Sequence, residues 1–201
     1  MRRAAAAFLA AAVLAGATGC GTSAGEKEFA PSENSVYISK EGTVSSAFVE
    51  SYDKDYYTAD SLKAYLEETI AGQYPDVAVT VKECSVENGV MKAVFDYGTP
   101  EDLMTFLADQ KSEGLELESF QVETVADGLA AGTVADGVFV NASDGKPADF
   151  KELARTEGQL VEVKGQAAVQ TEGKILYVSD GVEVTDSGAV VSGGPAYIIF
   201  K

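Results

Sequence analysis

Apolar positions in the first half of the chain alternate, shift to helical spacing, and repeat that cycle. Val36 and Ile38, then Val44, Ala47, Phe48 and Val49, flank Glu41-Gly42, a pattern that predicts two strands joined by a hairpin turn. A helix follows, with Thr58 as its N-cap, Asp60 and Ser61 in the first turn, and Tyr57 placed to staple onto Leu62 across the cap. Leu62, Tyr65, Leu66, Thr69 and Ile70 recur at helical spacing on one face, and Gly72 and Pro75 end the helix. Val77, Val79 and Val81 then alternate, but Cys84 and Val86 fall in the opposite phase. That slip predicts a bulge, or a strand end, near Lys82-Glu83. Asn88-Gly89 is a hairpin turn, and Met91, Ala93, Phe95 and Tyr97 alternate on the return. Thr99-Pro100-Glu101-Asp102 opens a second helix that buries Leu103, Phe106 and Leu107, and a further strand lies around 115–125.

The second half is richer in glycine and strand. Val138 and Val140 begin it, and a short helix starts at Asp149 with Glu152 completing a capping box. Strand candidates are Val161 and Val163, Ala167–Val169, Ile175–Val178, Val182–Val184, Val190-Val191 and Tyr197–Phe200. Glu172-Gly173, Asp180-Gly181 and Ser187-Gly188 supply turns between them. The expected fold class is α+β: an antiparallel sheet with two main helices, in the order β-β-α-β-β-α-β, followed by a strand-rich C-terminal half. The division expected is an α+β subdomain at 35–130 and a β-rich subdomain at 131–201 packed on it, with the seam near 126–136, or else one continuous α+β domain.

The N-terminus has a different grammar. Arg2 and Arg3 form a positive region, residues 4–15 are mostly Ala with Phe8, Leu9, Val13 and Leu14, and Ala17, Thr18 and Gly19 lead into Cys20. Charge, apolar run and small residues in that order make residues 1–19 a secretory signal, too short and Ala-rich for a transmembrane helix. A cysteine directly after such a site resembles the lipobox of bacterial lipoproteins. The resemblance implies that Cys20 receives a diacylglyceryl group carrying palmitate-type chains and becomes the mature N-terminus. Two acyl chains hold a protein at a membrane where one does not. Small and polar residues follow Cys20, so 20–34 is expected to be the lipidated cysteine and a flexible tether, roughly 20 Å long as a coil.

Charge narrows the partners. The chain carries −17, and loss of Arg2 and Arg3 with the signal takes it to −19. Phosphate backbones and anionic lipid surfaces repel such a chain, so no nucleic acid partner is expected. The absence of His removes zinc sites of the usual kind, Ser-His-Asp triads and Cys-His dyads from this chain. With Cys20 lipidated, Cys84 has no disulfide partner and reads as a buried, inert thiol.

Few patterns carry chemistry. Val-Ala-Asp-Gly occurs at 125–128 and 134–137, and Asp-Gly at 144–145 and 180–181, but no calcium-loop frame surrounds them and turn formation explains them. Ser51-Tyr52-Asp53-Lys54 has the Ser-x-x-Lys spacing of penicillin-binding enzymes, without the companion motifs or the helix that such a serine opens. The remaining candidate is the stretch 51–57 itself. Tyr52, Asp53, Asp55 and Tyr56 combine aromatic rings with carboxylates, as sugar-binding sites do, although solvated charge and a buried ring account for the same residues. No catalytic residue, metal ligand or cofactor motif emerges.

Five stretches taken in order carry a wider resemblance: SVYISKEGTV (35–44), YDKDYYTADSLKAYLEE (52–68), FDYGTPEDLMTFL (95–107), GKILYVSDGVEV (173–184) and AYIIFK (196–201). Behind a lipobox, they resemble a family of lipoproteins of gut Firmicutes and related Gram-positive bacteria. The resemblance implies location, with Cys20 on the lipobox cysteine, and carries over no activity, substrate or catalytic residue. Members of that family often have a long acidic insert before the final strand, where this chain has only residues 186–195. The expectation is therefore a protein lipid-anchored on the extracytoplasmic face of the cell membrane, acting as a non-enzymatic binding module for an envelope protein or glycan. Two alternatives stay open: a carboxylate-dependent wall or glycan hydrolase, and a structural part of an envelope complex.

Overall fold

The computed structural model describes residues 28–52, 58–110 and 112–201. The signal 1–19, Cys20, and the candidates Asp53, Asp55 and Tyr56, with Tyr57 as staple, lie outside the described residues. The elements run β1 (Ser35–Ile38), β2 (Val44–Ser51), α1 (Ala59–Gln73), β3 (Val79–Glu87), β4 (Val90–Tyr97), α2 (Pro100–Leu107), β5 (Glu116–Thr124) and α3 (Val125–Ala131). Then come β6 (Phe139–Asn141), α4 (Phe150–Leu153), β7 (Gln159–Thr171), β8 (Ile175–Ser179), β9 (Val182–Val184) and β10 (Ala189–Phe200). Among the described residues the fold is α+β, with ten strands in one hydrogen-bonded sheet: eight run in the order β3-β4-β2-β1-β7-β10-β8-β6, with β5 paired to β7 and β9 to β10 off that path. All pairings are antiparallel except β1 with β7.

Local signals in the first half form what they predict. Ser39 and Gly42, the latter at φ 83°, close the β1–β2 hairpin. Asn88 and Gly89, at φ 52° and 78°, turn β3 into β4. The ladder between β3 and β4 shifts between Val81 and Glu83, so one extra residue moves Cys84 and Val86 to the phase opposite Val79. Val77 belongs instead to the turn before β3, its N–H donating to the Tyr74 carbonyl at 3.2 Å.

The second half departs from expectation in its longest strands. Four strand candidates are in fact two strands, β7 and β10, each running through glycine without a break. Gly165 of β7 pairs with Gly193 of β10, at φ 119° and 141°. A Cβ on Gly165 would stand 2.1 Å from the Glu116 carbonyl oxygen, so only glycine lets β5 approach β7 there. On one side β10 pairs along most of β7; on the other, β5 takes residues 159–166 and β1 takes 168–171. β10 is shared in the same way between β9 and β8. One extra residue enters β10 between Gly193 and Ala196, so the buried positions change from Ala189 and Val191 to Ala196, Ile198 and Phe200. Most of the stretch 186–195 is thus strand.

Two further corrections concern the ends of elements. The first Val-Ala-Asp-Gly is not a turn but the first part of α3, capped by the Thr124 hydroxyl, which accepts from the Asp127 N–H at 3.1 Å. Gly128 sits inside that helix because a Cβ would meet Leu160 at 2.6 Å; its lack of a side chain lets α3 lie against β7. Gly137, Gly145 and Gly181 do occupy turns, each at positive φ. At the N-terminus, residues 28–34 of the expected tether lie against the sheet. Phe29 stacks on Tyr37 with ring centroids 5.0 Å apart, and the Asn34 side chain donates to the Glu113 carbonyl and accepts from the Val49 N–H.

Burial follows from this frame. The main core lies between the sheet and α2 and includes Val36, Ile38, Phe95, Leu103, Val161 and Ile198. A smaller cluster on the reverse face joins Leu160 and Ile199 to Val125, Val134, Phe139 and Leu153. The β7–β10 pair therefore feeds both cores from alternate residues. The backbone ladder also crosses the seam at residues 126–136 twice, through β1 with β7 and β5 with β7.

Candidate functional site

α1 begins with a reciprocal cap: Thr58 Oγ1 accepts from the Ser61 N–H at 3.1 Å, and Ser61 Oγ accepts from the Thr58 N–H at 2.9 Å. Lys63 and Glu67 add an exposed i,i+4 ion pair at 3.9 Å. The helix is thus well specified locally, yet none of its residues is fully buried. Leu62, Leu66 and Ile70 are half-buried, and Tyr65 is 64% exposed. α1 lies over β3 and leaves the neighbouring strands β2 and β4 partly uncovered.

The uncovered strip is an apolar groove of about 260 Å³. Phe48 of β2 and Met91, Ala93 and Phe95 of β4 make its floor, Leu62, Leu66 and Ile70 of α1 one wall, and Phe106 of α2 its end. The strand register explains the floor, because Phe48 pairs with Ala93 and Glu50 with Met91 on the same sheet face. Phe106 packs its ring among Tyr74, Phe95 and Tyr97 at centroid distances of 5.0, 5.1 and 5.9 Å, which holds that end rigid. The polar groups sit at the margins. Tyr74 donates its hydroxyl to Asp109 at 3.3 Å and accepts from the Gln110 amide at 3.4 Å. Burial pushes the Tyr74 phenol up, opposed by the Gln110 bond and reinforced by the Asp109 charge. Glu50, at the open end of β2, is the one charged residue lining the groove among the described residues.

Of the stretch 51–57, Ser51 and Tyr52 are described. Tyr52 is half-buried after β2 and donates its N–H to the Gly89 carbonyl at 2.7 Å. Glu50 precedes the stretch and Leu62 and Tyr65 follow it, so both its flanks reach the groove. Phe106 is buried as its place in the second helix predicts, and the gap between α1 and the strands has no counterpart in the sequence pattern. The nearest signal is the mixed face of α1, where Tyr65 and Thr69 interrupt the aliphatic residues.

Other candidates have structural roles. Cys84 is half-buried rather than fully buried; burial pushes its thiol up, Lys63 pulls it down, and Glu67 and Glu83 push it up. Ser179 accepts the Tyr197 N–H at 2.8 Å within the sheet. Ser51 ends β2 and opens no helix. Glu123 is raised by burial first and then by Asp127 and Glu162, yet among the described residues no three His, Cys, Asp or Glu are placed to hold a metal ion. In the cleft over Gly165, Glu116 and Glu118 both come from β5 and not from opposite walls. No helix among the described residues is long and apolar enough to cross a membrane. The chain matches no family model, no curated protein and no solved structure.

Proposed function

We propose that this chain is a lipid-anchored, extracytoplasmic binding module of the cell envelope, held by a diacylglyceryl group on Cys20, with its ligand site in the groove between α1 and the sheet. The groove carries the reading: an aromatic and aliphatic floor left open by a helix that its own caps hold in place. Such a concavity, mostly apolar with a few polar groups at its margins, is the usual form of a small-ligand site. The anchor rests on the order of Arg2-Arg3, the apolar run, the small residues and Cys20. Binding is favoured over hydrolysis because, among the described residues, Glu50 is the one carboxylate lining the groove, whereas glycoside cleavage needs two carboxyl groups flanking the bond.

Two measurements test the reading separately. Cys20→Ala is expected to move the protein from washed membranes to the soluble fraction; retention on the membrane refutes the anchor. A thermal-shift screen of that soluble protein against envelope glycans, peptidoglycan fragments and small aromatic compounds tests the site. A ligand at about 100 times its dissociation constant stabilises by roughly 2.7 kcal/mol. Loss of that shift on Leu66→Trp, which fills the groove from α1, places the ligand there; a shift that survives the substitution places it elsewhere and refutes the groove as the site.

A further inference from the structure

The charge around the groove narrows what it takes, given the reading of the groove as a ligand site. Phe48, Tyr65, Tyr74, Phe95 and Phe106 all line it; the rings of Phe48 and Tyr65 are open to its space, and the other three are buried behind them. Among the described residues no Lys or Arg lines it, and Glu50, the one charged lining residue among them, has no ion-pair partner there. Glu50 stands on the same face of β2 as Phe48, two residues along, so the carboxylate continues the line of the aromatic floor to the open end. At the opposite end Tyr74 is already bonded to Asp109, which adds negative charge behind the ring. The whole chain, at −17, attracts cations and repels anions at long range.

We propose that the groove binds a small organic amine, with an aromatic or branched aliphatic body on the ring-lined floor and its ammonium group at Glu50. The faces of aromatic rings attract cations, a carboxylate pairs with them, and an anion of the same shape meets repulsion from both. A cavity of about 260 Å³ is at the small end of ligand sites and suits a body of one ring.

The test uses three probes of one shape on the soluble Cys20→Ala protein: 2-phenylethylamine, 2-phenylethanol and 3-phenylpropanoate, titrated by calorimetry and by NMR. The amine is expected to bind about fivefold tighter than the alcohol, and the carboxylate weakest. Raising the salt should erode the amine's advantage and leave the alcohol unchanged. Glu50→Gln, a conservative change at an exposed position, should bring the amine down to the affinity of the alcohol. Carboxylate binding equal to that of the amine, or an amine advantage that survives Glu50→Gln, overturns the amine proposal while leaving the groove as a site. If neither amine nor alcohol perturbs groove resonances at millimolar concentration, the site reading falls, and the amine proposal with it.

Discussion

α1 and α2 start with the same chemistry and settle at different depths. Each has a threonine N-cap accepting the N–H three residues on, and each places an acid in its first turn. Yet α2 buries Leu103, Phe106 and Leu107 within eight residues, while α1 buries none in fifteen. Capping fixes where a helix begins, and the density of apolar residues on one face fixes how far it sinks. In α1 the aliphatic positions Leu62, Leu66 and Ile70 are separated by Tyr65 and Thr69, and the helix rests on the rim of the sheet. The tight helix closes the core. The loose one leaves Phe48 and Met91 partly exposed.

The sharpest way to break this comparison is to truncate one side chain from each helix. Phe106→Ala should cost about 3–5 kcal/mol in urea unfolding, because it empties the centre of the aromatic cluster. Leu66→Ala, at a half-buried position, should cost roughly 1–2 kcal/mol; equal losses would erase the distinction. Next in size is a pH effect on the α2 side. Tyr97 is buried, bonded to Ser46 at 2.8 Å and packed against Phe106, and burial pushes its phenol well above the ordinary range. The folded state therefore prefers the protonated form, so this contribution is fully present below the ordinary tyrosine pKa of about 10. It is lost above that value at about 1.4 kcal/mol per pH unit until the folded-state phenol itself ionises. Tyr97→Phe should flatten that alkaline decline; an unchanged decline would count against the assignment.

The caps separate the helices in another way. Thr58→Ala and Thr99→Ala should each cost about 1 kcal/mol. Hydrogen exchange should then speed up locally in α1 for the first and across the main core for the second. The smallest effect is a labelling rate. Cys20→Ala leaves Cys84 as the sole thiol, placed where α1 lies over β3 near Lys63 and Glu67. Alkylation should be slow at neutral pH and rise only above the usual thiol range, since burial disfavours the thiolate. Thr58→Ala should accelerate it more than Thr99→Ala, and the reverse order would show that α1 is not the looser cover.

What could be read from the sequence divides along the same physical line. Signals that act within a few residues, such as the Thr58 and Thr99 caps, the Asn88-Gly89 turn and the phase slip at Lys82-Glu83, were legible because their cause is local. The continuity of β7 through Gly165 and of β10 through Gly193 was not, because each glycine looks like a turn until the partner strand shows what its missing Cβ makes room for. Gly128 misled in the same way: its place inside α3 depends on Leu160, thirty-two residues away. The parallel pairing of β1 with β7 left no local trace either. Of the candidate site, the sequence showed the half-apolar face of α1. The groove itself is a space between α1 and two strands, and the pattern of α1 alone does not say how far it stands off.

The docking of Phe29 on Tyr37 and of Asn34 on Val49 and Glu113 sets how the domain would travel if Cys20 is its anchor. Only the backbone from Cys20 to Glu28 is left to span the distance, at most about 29 Å when fully drawn out. A domain of this size is roughly 40 Å across. With such an anchor the tie would be shorter than the body it holds, and the protein would pivot about a fixed point instead of roaming. A module held in that way would meet only ligands that come to the membrane surface, within a shell thinner than the protein itself.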